Sequence, residues 1–299
     1  MINIFIPSYH RPKNLKTVKY FKSIGWDCEK IHVFIDDEAD DQDEYIEAAE
    51  QLGFNLHVFD MEESRKRYDY VHRPSESRRS AGQSRNMFYD KAKELGIDFY
   101  MVQDDDTNHY EIKHFGRYQR KAYFEEIVET FESIEVFMRK RRIGMFGIPQ
   151  TGDFIGGENK RLFRKKVMNT TFILTDYIYR GERGVQDDDT SQFVGVMNHG
   201  LFTGSLGDGL TLQQTLSAKQ KGGLTDLYNE CKLLNKALVV PIQFPSCVFA
   251  QKQKMNGGRI HHRLQTRYLF PRIIKGTERD NIAWDTYEED CPFTNEPKR

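Results

Sequence analysis

The chain has 299 residues, with 44 Lys and Arg set against 45 Asp and Glu and a formal net charge of −1. That length is enough to bury a full core, and the near-neutral total hides a segregation into acidic stretches at 36–47 and 278–290 and several basic ones, so local fields matter more than net charge. Its four cysteines, Cys28, Cys231, Cys247 and Cys291, are widely scattered and lack metal spacing, which suits free thiols in a reducing compartment.

No apolar run approaches the roughly 20 residues of a membrane helix, and the first residues read as a strand rather than a secretory signal. A soluble, cytoplasmic protein with no membrane partner is expected. In chain order, residues 2–6 form an apolar strand, and a loop over 7–12 follows, with Pro12 suited to the first turn of a helix. Leu15, Val18, Phe21 and Ile24 keep helical spacing, and Gly25 ends that helix. A second strand over 31–35 ends in Asp36 and Asp37. A helix around 44–52 closed by Gly53, a strand over 55–59, and a helix over 83–95 closed by Gly96 lead to a fourth strand at 99–102. This alternation predicts an α/β fold with a parallel, helix-covered sheet and right-handed crossovers. In the common strand order 3-2-1-4 the winding reverses between the first and fourth strands, so a ligand is expected beyond their carboxyl ends.

The fourth strand delivers Asp104, Asp105 and Asp106 to that edge. Carboxylates packed this closely repel one another and stay ionised together most readily around a cation. Oxygen-only ligands favour Mg²⁺ or Mn²⁺, whose shells are usually completed by water and substrate phosphates. The expected chemistry is therefore metal-dependent handling of a diphosphate. No Gly-x-Gly-x-x-Gly follows the first strand and no P-loop is present, so the nucleotide is held in a different way.

The proline-bounded loop at 7–12, the acidic end of the second strand, the helix start Gly82-Gln83-Ser84-Arg85-Asn86 and the strand end Asp104-Asp105-Asp106 together resemble the GT-A-fold nucleotide-sugar glycosyltransferases. The resemblance covers about the first third of the chain. It implies one Rossmann-like domain over 1–299, mostly parallel and covered by helices on both faces. Residues 1–110 would bind the nucleotide sugar, and a mixed half over 111–299 would bind the acceptor. By the same resemblance Pro7, Ser8, Tyr9 and Arg11 fall to the nucleotide of a nucleoside-diphosphate sugar such as a UDP-sugar. Asp36 or Asp37 falls to the base or ribose, and Arg85, Asp104 and Asp105 to the donor. Asp104 and Asp106 fall to Mn²⁺ or Mg²⁺.

Further along, residues 118–138 keep helical spacing as a covering helix, and 143–148 and 169–174 read as strands around a basic, flexible segment at 152–166. The second acidic cluster, 187–189, resembles the region that supplies the catalytic base in inverting GT-A enzymes. That resemblance makes Asp189 the preferred base and Asp188 the next; helix capping is the alternative. A glycine-rich turn over 200–209, helices over 211–221 and 226–234 and a strand over 238–242 follow. Glycines then precede His261 and His262, and a late histidine, His262 or His261, would close the metal site by the same resemblance.

Basic residues recur at 65–67, 78–79, 117–121, 139–142 and 160–166, which points to a polyanionic partner. The chain also resembles the phage TET-associated glycosyltransferases, linked to sugar transfer onto 5-hydroxymethylpyrimidines in DNA. This implies double-stranded DNA carrying a hydroxymethylated base, such as 5-hydroxymethylcytosine, as acceptor, with Lys160, Arg161, Arg164 and Lys165 at the nucleic acid. Two other readings remain: a polysaccharide or protein acceptor, and a non-catalytic nucleic-acid-binding protein on a degenerate transferase fold.

Overall fold

A computed structural model describes residues 1–67, 81–114, 116–141, 143–150, 163, 165–177, 187–214, 233–252 and 260–270. The first third alternates as expected: β1 (Asn3–Pro7), α1 (Lys16–Ser23), β2 (Ile31–Asp36), α2 (Gln42–Leu52), β3 (Asn55–Phe59), α3 (Met61–Arg67), α4 (Ala81–Glu94) and β4 (Phe99–Gln103). Then come β5 (Thr107–His114), β6 (Arg117–Lys121), α5 (Phe124–Arg139), β7 (Ile143–Gly147) and β8 (Thr170–Leu174). The chain continues through α6 (Asp188–Asn198), β9 (Phe202–Ser205), β10 (Gly209–Gln214), α7 (Leu233–Gln243), β11 (Val248–Lys252) and β12 (Ile260–Leu264).

A seven-stranded sheet runs β3-β2-β1-β4-β8-β7-β9. Its first four strands are mutually parallel in the expected order 3-2-1-4, whereas β8 is antiparallel to both β4 and β7. Successive strand side chains point to opposite faces, and in β1, β2 and β4, inside the edge strand β3, both faces are buried. Ile4, Ile6, Val33, Met101 and Phe172 pack in one core with Val18 and Phe21 of α1 and Phe131 of α5. Phe5, Phe34, Tyr100 and Ile173, the intervening residues, pack on the other face with Phe88 and Ala92 of α4. Near-continuous apolar strands follow from this double burial. Gly53 and Gly96 take left-handed φ values of 85° and 66°, as the helix ends at those glycines require.

The later elements differ from the sequence expectation. The helix expected over 118–138 starts at Phe124, because residues 117–121 form β6, which pairs antiparallel with β5. The turn expected over 200–209 contains β9, and residues 211–214 belong to β10 rather than a helix. The strand expected over 238–242 is part of helix α7; its short apolar run has no period that separates the two states. Strands β10, β5 and β6 form a second sheet, and β11 and β12 a hairpin. No helix among the described residues is long and apolar enough to cross a membrane.

Candidate functional site

Because β1 and β4 are adjacent and parallel, their carboxyl ends bring residues 8–12 and 104–106 to one edge. Ser8 Oγ donates to Asp105 Oδ2 at 2.8 Å, and Arg11 Nη1 donates to Asp105 Oδ1 at 2.6 Å. Tyr45 of α2 secures the same loop: its hydroxyl accepts from the Arg11 amide at 3.0 Å and lies 2.8 Å from Ser8 Oγ. Thr17 of α1 donates to the Asp104 carbonyl and accepts from the Thr107 amide. Burial pushes the Asp105 carboxyl up and Arg11 opposes it. The middle carboxylate of the run is thus held by the framework.

The outer two face different partners. Gln214 Nε2, at the end of β10, donates to Asp106 Oδ1 at 2.7 Å and lies 3.5 Å from Asp104 Oδ2. Burial, then the charges of Asp104 and Asp105, push Asp106 up to about 7. Arg85 of α4 forks between clusters far apart in the chain, with Nη2 on Asp104 Oδ1 at 2.5 Å and Nη1 on Asp188 Oδ2 at 2.6 Å. Burial works against the guanidinium charge, but Asp188 and Asp104 outweigh it and hold Arg85 above its ordinary range.

At the start of α6, Lys166 Nζ lies 2.8 Å from Asp189 Oδ2. Burial would raise the Asp189 carboxyl; Lys166 outweighs it and holds it below the usual range. Asp187 occupies the cap position with a left-handed φ of 56°, and its side chain makes no capping bond. His262 Nδ1 of β12 is 3.4 Å from Asp187 Oδ2 with both side chains buried. A narrow cleft between sheet and α6 is lined by Arg85, Asn169, Asp189 and Gln192, with Met145 and Val167 as apolar walls.

The structure therefore joins Ser8, Arg11 and Arg85 and the two acidic clusters, expected separately, into one connected set. Arg11 points into Asp105 rather than outward. Asp36 is buried at the end of β2, while Asp37 Oδ1 accepts from the Met61 amide at the start of α3. Tyr9 packs on His10, with ring centroids 3.9 Å apart. Pro7 ends β1 beside Phe34. Lys165 is half-buried, and Lys160, Arg161 and Arg164 lie outside the described residues.

Asp104 and Asp106 each bring an oxygen to the same Gln214 amide nitrogen, and such an oxygen-only pair is the donor set a hard divalent cation takes. Burial raises Asp106 most, and the Asp104 and Asp105 charges that add to it are what a cation would offset. His262 faces Asp187, the residue before α6. Among the described residues, three ligand-type side chains gather within 4.8 Å at His10, Asp40 and Asp41, not at Asp104, Asp106 and His262. Sequence reasoning missed Gln214, Asn169, Tyr45 and Thr17, and it read Lys166 only as part of a basic run. For Gln214 the signal was masked by the helical reading of 211–221.

Residues 2–223 match the sequence profile of the TET-associated glycosyltransferases. No curated protein matches the chain. Among solved structures, the chain is similar to a mannosyltransferase from Pyrobaculum calidifontis in complex with GDP-Man and Mn²⁺, at 10% identity and a TM-score of 0.46. That alignment covers 73% of this chain and 58% of the mannosyltransferase, so the chain spans less than two thirds of that protein. It is also similar to glucosyl-3-phosphoglycerate synthase from Mycobacterium tuberculosis in complex with Mn²⁺, UDP and glucosyl-3-phosphoglycerate. There the identity is 9%, the TM-score 0.46, and the coverage 88% of this chain and 86% of that one. Similarity this distant carries no information about substrate or metal.

Proposed function

The chain belongs to the TET-associated glycosyltransferase family, and from that premise we propose that it moves a sugar from a UDP-sugar to the hydroxyl of 5-hydroxymethylcytosine in double-stranded DNA, with inversion. The observation that carries this reading is the Arg85 fork, which links the acidic run ending β4 to the acidic start of α6. One end suits a metal-bound diphosphate donor and the other an acceptor.

Asp104 and Asp106 would hold Mn²⁺ or Mg²⁺, which when bound neutralises charge on the departing diphosphate. Arg85 is a fixed guanidinium next to that position, so its field favours the charge that develops as the nucleoside diphosphate leaves. Ser8 and Arg11 act one step back, by fixing Asp105. Asp189 lines the cleft and is held ionised beside Lys166, so it is available to take the acceptor hydroxyl's proton. Residues 1–110 then form the donor half and 111–299 the acceptor half.

A polyanionic acceptor is supported by β6, which leaves Arg117, Lys121 and the ring of Tyr118 exposed on the hairpin that begins directly after Asp106. Exposed cations interleaved with aromatics suit phosphates and bases. The test is mass spectrometry of nucleosides from hydroxymethylcytosine-containing DNA incubated with the protein, Mn²⁺ and a panel of nucleotide sugars. A sugar mass gain on the modified base is expected. Metal-dependent donor hydrolysis without that gain would move the acceptor to a polysaccharide or protein. Absence of both would leave a non-catalytic binder.

A further inference from the structure

We propose that Gln214 is a positioning residue for the metal-binding carboxylates, its side-chain amide turned donor-first toward Asp106 and Asp104 by Asn169. The inference rests on the metal reading of that pair. The direction of the amide is fixed by its neighbours. Asn169 Nδ2 donates to Gln150 Oε1 at 2.5 Å and to Gln214 Oε1 at 2.6 Å, so the Gln214 oxygen is occupied and its NH₂ is what faces the carboxylates. A flipped Gln214 would set its oxygen against two carboxylates and its NH₂ against another NH₂.

Asn169 is itself held in place. It adopts a left-handed φ of 57°, which Asn tolerates better than most residues, and its carbonyl accepts from the Asp104 amide at 3.3 Å. The corner that carries it lies against Gly147, where a Cβ would fall 2.1 Å from Val167 and 2.8 Å from the Thr170 carbonyl. Gln214 reaches the site through a register shift: Gln213 of β10 pairs with His109, yet Gln214 pairs with Thr107. Such a bulge re-aims a side chain next to a functional site. The Gln214 amide thereby adds to the bonds that already join the second sheet to this edge, from Tyr110 to Gln103 and from the Leu212 amide to the Pro149 carbonyl.

Outer-shell hydrogen bonds to ligating carboxylates typically matter by 10–100-fold in metal affinity. The test is Mn²⁺ titration of the full chain followed by electron paramagnetic resonance, with thermal unfolding of each variant in parallel. For Gln214→Leu the expected result is a Mn²⁺ Kd raised about 10-fold or more with a nearly unchanged melting temperature. The donor KM should rise more than kcat falls. Asn169→Gly keeps the left-handed backbone while deleting the amide that orients Gln214, so it should weaken Mn²⁺ in the same direction and by less. It carries the test if Gln214→Leu does not fold. Wild-type protein that binds no Mn²⁺ would overturn the metal reading and this inference with it. Wild-type binding that both variants match would overturn the positioning role alone.

Discussion

Arg11 Nη1 lies 2.6 Å from Asp105 Oδ1, with both side chains buried. This pair divides the acidic run by role, since Asp105 anchors the first loop while Asp104 turns to Arg85 and Asp106 to Gln214, with its other oxygen 4.0 Å from Arg11. Removing one partner of a buried ion pair leaves an uncompensated charge. Arg11→Ala is expected to cost about 3 kcal/mol in urea unfolding, and adding Asp105→Asn in the same chain should recover much of that. Additive losses in the double variant would show that the two groups are not coupled.

Arg85 offers a second test, because its planar fork serves Asp104 and Asp188 at once. Lysine keeps the charge but presents a point donor that cannot span both. Arg85→Lys should lower turnover about 100-fold and reduce the melting temperature modestly. Kinetics indistinguishable from wild type would mean that charge alone, without the fork, suffices.

The two candidate bases can be separated by their partners. Asp188 is bound to Arg85 and Asp189 to Lys166. Asp189→Asn is expected to abolish transfer to the acceptor while slow donor hydrolysis persists, because only the acceptor proton loses its destination. Asp188→Asn should depress both, because it frees Arg85 from α6. Assays of UDP release with and without acceptor distinguish the outcomes, and the reverse pattern would exchange the assignments.

Stability should also respond to acid at a place remote from the site. His32 Nδ1 and His57 Nε2 face each other at 3.0 Å across β2 and β3. Burial pushes both rings down to about 4, assisted by the His57 and Lys30 charges for His32 and by Lys91 for both. Unfolded chain takes up these protons near pH 6.5 and the native state only near 4. The stabilisation is therefore complete above 6.5 and is lost as the pH falls through that window. Because His57 is partly exposed, solvent screening trims the effect, and the loss should be of order 2 kcal/mol for the pair, read from urea midpoints, and His57→Gln should flatten the dependence. An unchanged slope in that variant would rule the pair out as its source.

The first third of the fold was legible because β1, β2 and β4 are buried on both faces and α1, α2 and α4 end in glycines that take positive φ. Local pattern and tertiary demand coincide there. Strand order 3-2-1-4 by itself brings Ser8, Arg11 and Asp104–Asp106 to one edge. The second sheet was not legible. Its strands β5 and β6 are polar and half-exposed, and β10 owes its strand state to pairing with β5, a contact no local pattern encodes. For the same reason the partners that lock the acidic run in place, Gln214 and Asn169, could not be read from sequence. Arg85 was expected at the donor, but its second bond to Asp188 depends on how α4 and α6 pack.

The measurement that bears most directly on the central claim is Mn²⁺-dependent release of UDP from a UDP-sugar by wild type and Asp106→Asn, with unfolding midpoints taken on the same preparations. Replacing one of three crowded carboxylates removes a metal ligand and relieves repulsion at once. The account predicts turnover reduced about 100-fold or more, with DNA affinity unchanged and a metal-free melting temperature equal to or above that of wild type. Undiminished turnover in Asp106→Asn would contradict the assignment of the metal, and of the donor diphosphate, to the end of β4.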